Sequence, residues 1–98
     1  MIIGYFADGP WSHRSLEKLL ANPEIKVAFI CARYDQQDEV LKKQSDQHEI
    51  PFFSHPDINS SNFLNKIEPH NSDLFVSMSF NQIFRKKTLE TPPLGTIN

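Results

Sequence analysis

The chain has 98 residues, of which 39% are hydrophobic and 22% charged, and its formal net charge is −2. This length suits one small domain, and the composition is that of an ordinary globular protein. The small net charge gives no electrostatic reason to expect a nucleic acid or an anionic membrane as partner. The single cysteine, Cys31, excludes an internal disulfide and a multi-cysteine zinc site. We expect no bound metal.

The amino-terminal residues carry no basic leader followed by an apolar run, so we expect no signal peptide. No apolar stretch approaches the roughly 20 residues that a membrane-spanning helix needs. The default expectation is therefore a cytoplasmic protein in which Cys31 is a buried, unreactive thiol.

Short apolar runs alternate with amphipathic stretches, which predicts an α/β domain with a mostly parallel sheet. Residues 2–6 predict strand one, and the turn-forming residues 7–10 lead into a helix over residues 11–21. Residues 25–31 predict strand two. Asp35 is the predicted N-cap of the second helix, which runs to about residue 47.

The second half of the chain continues this alternation. Residues 50–53 predict a short third strand, whose proline suits the edge of a sheet, and Ser60 or Ser61 caps a third helix. Three later elements are predicted: strand four over residues 73–78, a helical turn near residues 85–90 and strand five over residues 96–98. Right-handed crossovers then give a Rossmann-like, three-layer domain of about five strands in the order 3-2-1-4-5.

A ligand crevice is expected where the winding of such a sheet reverses, at the carboxyl ends of strands one and four. Its predicted walls are two polar, turn-forming segments: Asp8, Gly9, Pro10 and Trp11 after strand one, and Ser79, Phe80, Asn81 and Gln82 after strand four. Asn98 ends strand five at the same edge. The glycines do not complete a dinucleotide fingerprint and no Walker lysine is present, which disfavours both kinds of nucleotide site.

Three segments, in the correct order, resemble the formyltransferases that use N10-formyltetrahydrofolate. Residues 6–11 (Phe-Ala-Asp-Gly-Pro-Trp) resemble the first strand-to-helix loop of that family, and residues 92–98 resemble the approach to its catalytic Asn. Residues 79–84 (Ser-Phe-Asn-Gln-Ile-Phe) resemble the loop in which main-chain groups hold the pterin ring of the folate. The resemblance implies that the pterin is framed by Phe80, Asn81, Gln82 and Ile83.

By the same match, Asn98 would donate its side-chain amide to the formyl oxygen, where negative charge develops as an amine attacks. In the family, a His two residues after this Asn manages protons, and a later Asp orients that His. The sequence given ends at Asn98, so the resemblance implies that residues 1–98 are the N-terminal part of a catalytic domain, truncated at the end of strand five. We therefore expect no formyltransferase activity from these 98 residues alone.

The formyl acceptor is inferred from differences within the family. Methionyl-tRNA formyltransferases carry a long basic insertion after strand two. The corresponding segment here, residues 33–39, is short and acidic. Glycinamide ribonucleotide formyltransferases have a Gly-rich phosphate loop, which residues 7–11 do not match. Residues 8–11 and 75–83 are most similar to the sugar formyltransferases. The expected substrates are thus a folate and a nucleotide-linked amino sugar, such as a dTDP-4-amino-4,6-dideoxyhexose, and a homodimer of the full-length protein stays open.

Alternative interpretations remain beside this one. Phe80, Ile83 and Phe84 are also compatible with a purely structural role in the core, and Asn98 with an ordinary polar chain end. The chain would then be a non-catalytic binding module, either a degenerate formyltransferase or an unrelated flavodoxin-like domain. The histidines do not replace the expected catalytic His, since none follows Asn98, and only His13 is placed near the crevice.

Overall fold

The computed structural model describes all of residues 1–98 and contains one sheet of five strands, in the predicted order β3-β2-β1-β4-β5. All four neighbouring pairs are parallel. The elements in chain order are β1 (Ile2–Ala7), α1 (Gly9–Ala21), β2 (Lys26–Ala32), α2 (Glu39–Gln47), β3 (Phe52–Ser54), α3 (Ser61–Ile67), a 3₁₀ turn (Glu68–His70), β4 (Leu74–Met78), α4 (Lys86–Leu89) and β5 (Thr96–Ile97). None of these helices has both the length and the apolar character needed to cross a membrane.

The side chains of β1 alternate between two apolar cores, one on each face of the sheet. Ile3 and Tyr5 belong to the core that also contains Leu16 of α1 and Leu41 of α2. Phe6 belongs to the core on the α3 side, with buried residues of β2, β4 and α3 that include Phe29, Phe63 and Phe75. Because the sheet is covered on both faces, its central strands are apolar at nearly every position.

Cys31 is fully buried in the core on the α3 side. Burial raises the pKa of its thiol, which keeps it protonated at neutral pH. The sequence-based expectation that this cysteine is buried is therefore confirmed, and its low reactivity stays a prediction.

Local hydrogen bonds decide where the helices begin. α1 begins at Gly9, two residues before the predicted start, with Pro10 in its first turn. The predicted N-cap of α2, Asp35, is wrong: Asp38 caps this helix, accepting from the backbone N–H groups of Val40 and Leu41. Asp35 is instead held by Arg33 through two hydrogen bonds of 2.8 and 2.9 Å, and it therefore lies in the preceding turn. For α3 the cap is Ser60, one of the two residues expected.

Gly4 allows two phenylalanine rings to lie directly against the central strand. A Cβ placed on Gly4 would overlap the ring of Phe29, with only 2.6 Å to its Cε2, and would lie 3.0 Å from Cδ1 of Phe75. Both rings are fully buried or nearly so.

We predict that Gly4→Ala lowers the free energy of unfolding by about 1–3 kcal/mol, since an added methyl in a filled core forces strain. Urea denaturation of the variant measures this effect. The control is to introduce Gly4→Ala into a Phe29→Leu variant. There the added methyl should lower the free energy of unfolding by less, because the opposing ring is gone. Equal costs of Gly4→Ala in both backgrounds would contradict the proposed overlap.

Candidate functional site

The carboxyl ends of β1, β2 and β4 are joined at the edge of the sheet where the crevice was expected. The backbone N–H of Asp8 donates to the carbonyl of Met78 at 3.2 Å, which links the ends of β1 and β4. Arg33 follows β2 directly; its guanidinium bonds both carboxylate oxygens of Asp35 and lies 3.4 Å from Asp8. The two segments predicted to form the crevice therefore do meet at one edge.

Residues 79–85, here called the post-β4 loop, leave the sheet through Ser79, whose φ is +56°. The main-chain N–H and C=O groups of residues 79–82 make no backbone–backbone hydrogen bond. Hydrogen bonds that reach this part of the loop end on the side chains of Asn81 and Gln82 and on the carbonyl of Ile83. A row of main-chain donors and acceptors is thus free at the carboxyl edge of the sheet.

The side chains of the four residues predicted to frame a pterin have different surroundings. Phe80 is half-buried and packs edge-on against Phe6, with 5.6 Å between ring centroids. Asn81 is exposed, and its amide nitrogen lies 3.5 Å from Asp35. Gln82 is bound to the chain's own backbone through both ends of its amide. Ile83 is 81% exposed, so it is not a core residue. Phe80, in contrast, packs against the core on the α3 side, as the alternative of a structural role expected.

The first crevice segment, residues 8–11, is partly bound by other residues of the chain. Gly9 has φ +83°, a conformation that favours glycine, and its N–H donates to Asp38 at 3.1 Å. Pro10 is exposed in the first turn of α1. Trp11 is 69% exposed, and the guanidinium carbon of Arg14 lies 5.8 Å from the centroid of its ring. Trp11 is thus the accessible aromatic side chain of this segment.

One carboxylate, that of Asp38, joins the N-terminal ends of α1 and α2. It accepts hydrogen bonds from the N–H groups of Gly9, Val40 and Leu41, and Nε2 of His13 lies 2.8 Å from both of its oxygens. Burial acts to raise the pKa of Asp38, but hydrogen bonds from His13, Leu41 and Gly9 outweigh it and lower the pKa. His13, the histidine expected near the crevice, is therefore bound to Asp38.

Asn98 lies at the same edge as the post-β4 loop. β5 runs parallel to β4, with Thr96 paired to Phe75 and Ile97 to Val76. Asn98 follows directly and is exposed. This position agrees with the expected placement of Asn98, while its chemical role stays a prediction.

Sequence reasoning did not assign Arg33, Asp35 or Asp38 to the site, although all three lie at this edge. Their position in the sequence could have indicated this placement, because each belongs to the connection that leaves the carboxyl end of β2. Arg33 holds the pKa of Asp35 below its ordinary value through their hydrogen bonds. These residues give the edge fixed, paired charges rather than a free cation or anion.

The largest cavity, about 590 Å³, lies at the opposite edge of the sheet, where it is lined by Lys26, His48 and His70 among others. The other principal cavities, between helices or beside β4, also lie away from the post-β4 loop. No group of three or more His, Cys, Asp or Glu side chains is arranged to hold a metal ion. The candidate site is therefore an open ledge on this chain and not an enclosed pocket.

Comparison with known proteins finds no matching family model, but it finds relatives along the entire chain. The chain is 29% identical to the methionyl-tRNA formyltransferase of Trichormus variabilis, matching with all of its residues 32% of that protein. It is 27% identical to the methionyl-tRNA formyltransferase of a Nostoc species and 26% identical to that of Microcystis aeruginosa, again over its full length. The chain spans about one third of the length of these curated relatives.

We predict that Asp38→Ala lowers the free energy of unfolding at neutral pH by about 1–2 kcal/mol, because α2 loses its cap and α1 its link to α2. The folded-state pKa of Asp38 lies below the unfolded value of about 3.9, so the carboxylate stabilises the fold above that pH. This contribution is lost as the pH falls through the folded-state pKa, and the wild type and the variant should converge there.

Denaturation at a series of pH values from 7 downwards measures this convergence. Asp46→Ala is the control, since Asp46 is an exposed carboxylate paired only with Lys42 and should contribute less than about 1 kcal/mol. A deficit in Asp38→Ala that persists unchanged in acid would show that the charge of Asp38 is not responsible.

Proposed function

We propose that this chain forms the N-terminal, folate-binding part of a formyltransferase that takes its formyl group from N10-formyltetrahydrofolate. The observation that carries this proposal is the similarity of the whole chain to methionyl-tRNA formyltransferases, which supports the formyltransferase family. The same similarity does not support the sugar-nucleotide branch that the sequence alone suggested. The remaining two thirds of such an enzyme would complete the active site.

The geometry of the post-β4 loop supports a folate site. A pterin ring presents hydrogen-bond donors and acceptors along one edge, and the free main-chain groups of residues 79–82 include both N–H donors and C=O acceptors. The exposed side chain of Ile83 provides an apolar surface for a flat ring, and Asn81 adds a polar side chain. Phe80 contributes by fixing the loop on the core, and Gln82 through its main chain only.

Asn98 is placed to act on the formyl group in this proposal. As the acceptor amine attacks the formyl carbon, the carbonyl oxygen gains negative charge and the bond from carbon to N10 of the folate then breaks. An amide N–H aimed at that oxygen stabilises the charge, and the proton that the amine loses ends on N10 of the departing tetrahydrofolate. Asp8 and Trp11, at the neighbouring end of β1, would face the acceptor.

The acceptor that the relatives favour is methionyl-tRNA, since this is the substrate in their names. One observation keeps the nucleotide-linked amino sugar as a second candidate. The connection after β2 carries no basic insertion, and its one arginine, Arg33, is already paired with Asp35 and Asp8. A phosphate backbone would therefore find no free cation in this connection.

We predict that the chain binds 5-formyltetrahydrofolate, a stable analogue of the formyl donor, and that Ile83→Glu weakens this binding by about tenfold through loss of apolar contact. Isothermal titration calorimetry measures the affinity. Leu94→Glu is the matched control, since Leu94 is also an exposed apolar residue but precedes β5 at the other edge of the sheet. Equal weakening by the two substitutions would place the ligand elsewhere.

The acceptor is tested by binding methionyl-tRNA and a dTDP-linked amino sugar to the chain at two salt concentrations. If the acceptor is methionyl-tRNA, we expect it to bind more tightly than the sugar and to lose at least about tenfold in affinity between 50 and 200 mM salt. Fluorescence anisotropy of labelled tRNA measures this loss. Binding of the sugar nucleotide alone would replace the first candidate with the second.

A further inference from the structure

Gln82 connects the post-β4 loop to the loop that joins β3 to α3 (residues 55–60, the β3–α3 loop). Its Nε2 donates to the carbonyl of His55 at 2.7 Å, and its Oε1 accepts from the N–H of Ile58 at 3.0 Å. Both ends of the amide are therefore bonded to the backbone of the other loop. These two bonds fix the position of the amide, although one N–H and one lone pair of its oxygen are not used by them.

Asn59 makes the reciprocal connection, from the β3–α3 loop to the post-β4 loop. Its Nδ2 donates to the carbonyl of Ile83 at 2.8 Å, and its Oδ1 accepts from the N–H of Arg85 at 2.8 Å. The two amides thus bridge the same pair of loops in opposite directions. Thr88, fully buried, adds a longer bond of 3.4 Å to the carbonyl of Ile58.

No backbone–backbone hydrogen bond joins the two loops, so side chains hold them together. The amides fix the post-β4 loop at Gln82 and from Ile83 to Arg85, and β4 fixes its beginning. Residues 79–81 lie between β4 and Gln82, and the main-chain groups of residues 79–82 make no backbone–backbone hydrogen bond. A loop held in its bound shape before the ligand arrives loses less conformational entropy on binding.

We propose that Asn59 and Gln82 are positioning residues of the folate site, which hold the main chain of residues 79–82 in its binding conformation without their own side chains contacting the folate. This inference rests on the proposed function. It adds Asn59, which lies outside both crevice segments, and it changes the expected role of Gln82 from ligand contact to support.

The test replaces one donor nitrogen by oxygen in each amide. Asn59→Asp places a carboxylate oxygen against the carbonyl of Ile83, and Gln82→Glu places one against the carbonyl of His55, while size and the acceptor oxygen are kept. Asn65→Asp is the matched control, since Asn65 lies exposed on α3 and gains the same charge. Calorimetry measures the affinity for 5-formyltetrahydrofolate, and circular dichroism measures the thermal midpoint.

We expect both variants to bind the folate about tenfold or more weakly, since each loses a hydrogen bond that holds the loop, and Asn65→Asp to stay within about twofold of the wild type. A purely structural role would lower the thermal midpoint and leave the affinity of the folded protein unchanged. Full affinity in a folded Asn59→Asp chain would therefore overturn the inference, and so would full affinity in folded Gln82→Glu if Asn59→Asp fails to fold.

Amide NMR spectra separate this inference from the proposed function. Asn59→Asp should shift the signals of residues 79–83 in the absence of ligand, and Asn65→Asp should not. If the wild-type chain binds no folate, the folate site falls and the assignment of positioning residues for it falls too. If the wild type binds but these signals do not respond to Asn59→Asp, the inference fails while the proposed function stands.

Discussion

The ring of Phe6 is the contact on which the rest of the structure depends. It lies on the central strand and meets five other phenylalanine rings edge-on or tilted, with centroid distances from 4.9 to 6.1 Å. These partners come from β2, α3, β4 and the post-β4 loop: Phe29, Phe63, Phe75, Phe80 and Phe84. Edge-on packing has a preferred geometry as well as a large buried area, so it constrains how these elements lie relative to one another. Packing of Phe80 and Phe84 against Phe6 therefore sets the position of the post-β4 loop, and with it the position of the candidate site.

Hydrogen bonds at the carboxyl edge complete what packing begins. The carboxylate of Asp38 joins the starts of α1 and α2, and Arg33 joins the connection after β2 to Asp8. Gln82 and Asn59 connect the post-β4 loop to its neighbour. Because these polar side chains are bonded within the protein, the groups left free at the ledge are mainly main-chain N–H and C=O groups. Such an edge favours a flat, uncharged ring with several hydrogen-bonding atoms over a group recognised by charge alone.

The two inferences about the acceptor differ because they depend on different parts of the chain. Similarity to the sugar formyltransferases is limited to individual loops, and the short acidic connection over residues 33–39 is the main difference from the tRNA enzymes. The similarity to methionyl-tRNA formyltransferases extends over the whole chain, including the sheet and the post-β4 loop. A formyl-donor site is needed whatever amine accepts the group, so resemblance in these shared parts indicates the family more directly than it indicates the acceptor.

The sequence by itself determined the α/β class, the strand order and the edge of the sheet at which the segments after β1 and β4 meet, because these follow from local periodicity and from the geometry of parallel strands. Only the tertiary structure decided which of two similar residues acts. Asp35 and Asp38 both suit a helix cap, and Asp38, which also binds Gly9 and His13 of α1, is the one that caps α2. The pairing of Asn59 with residues 24 and 26 positions away was likewise invisible in the local pattern. An amide side chain can form a hydrogen bond to a backbone group only when the two lie within about 3 Å. For residues far apart in the sequence, the fold of the chain decides whether they do.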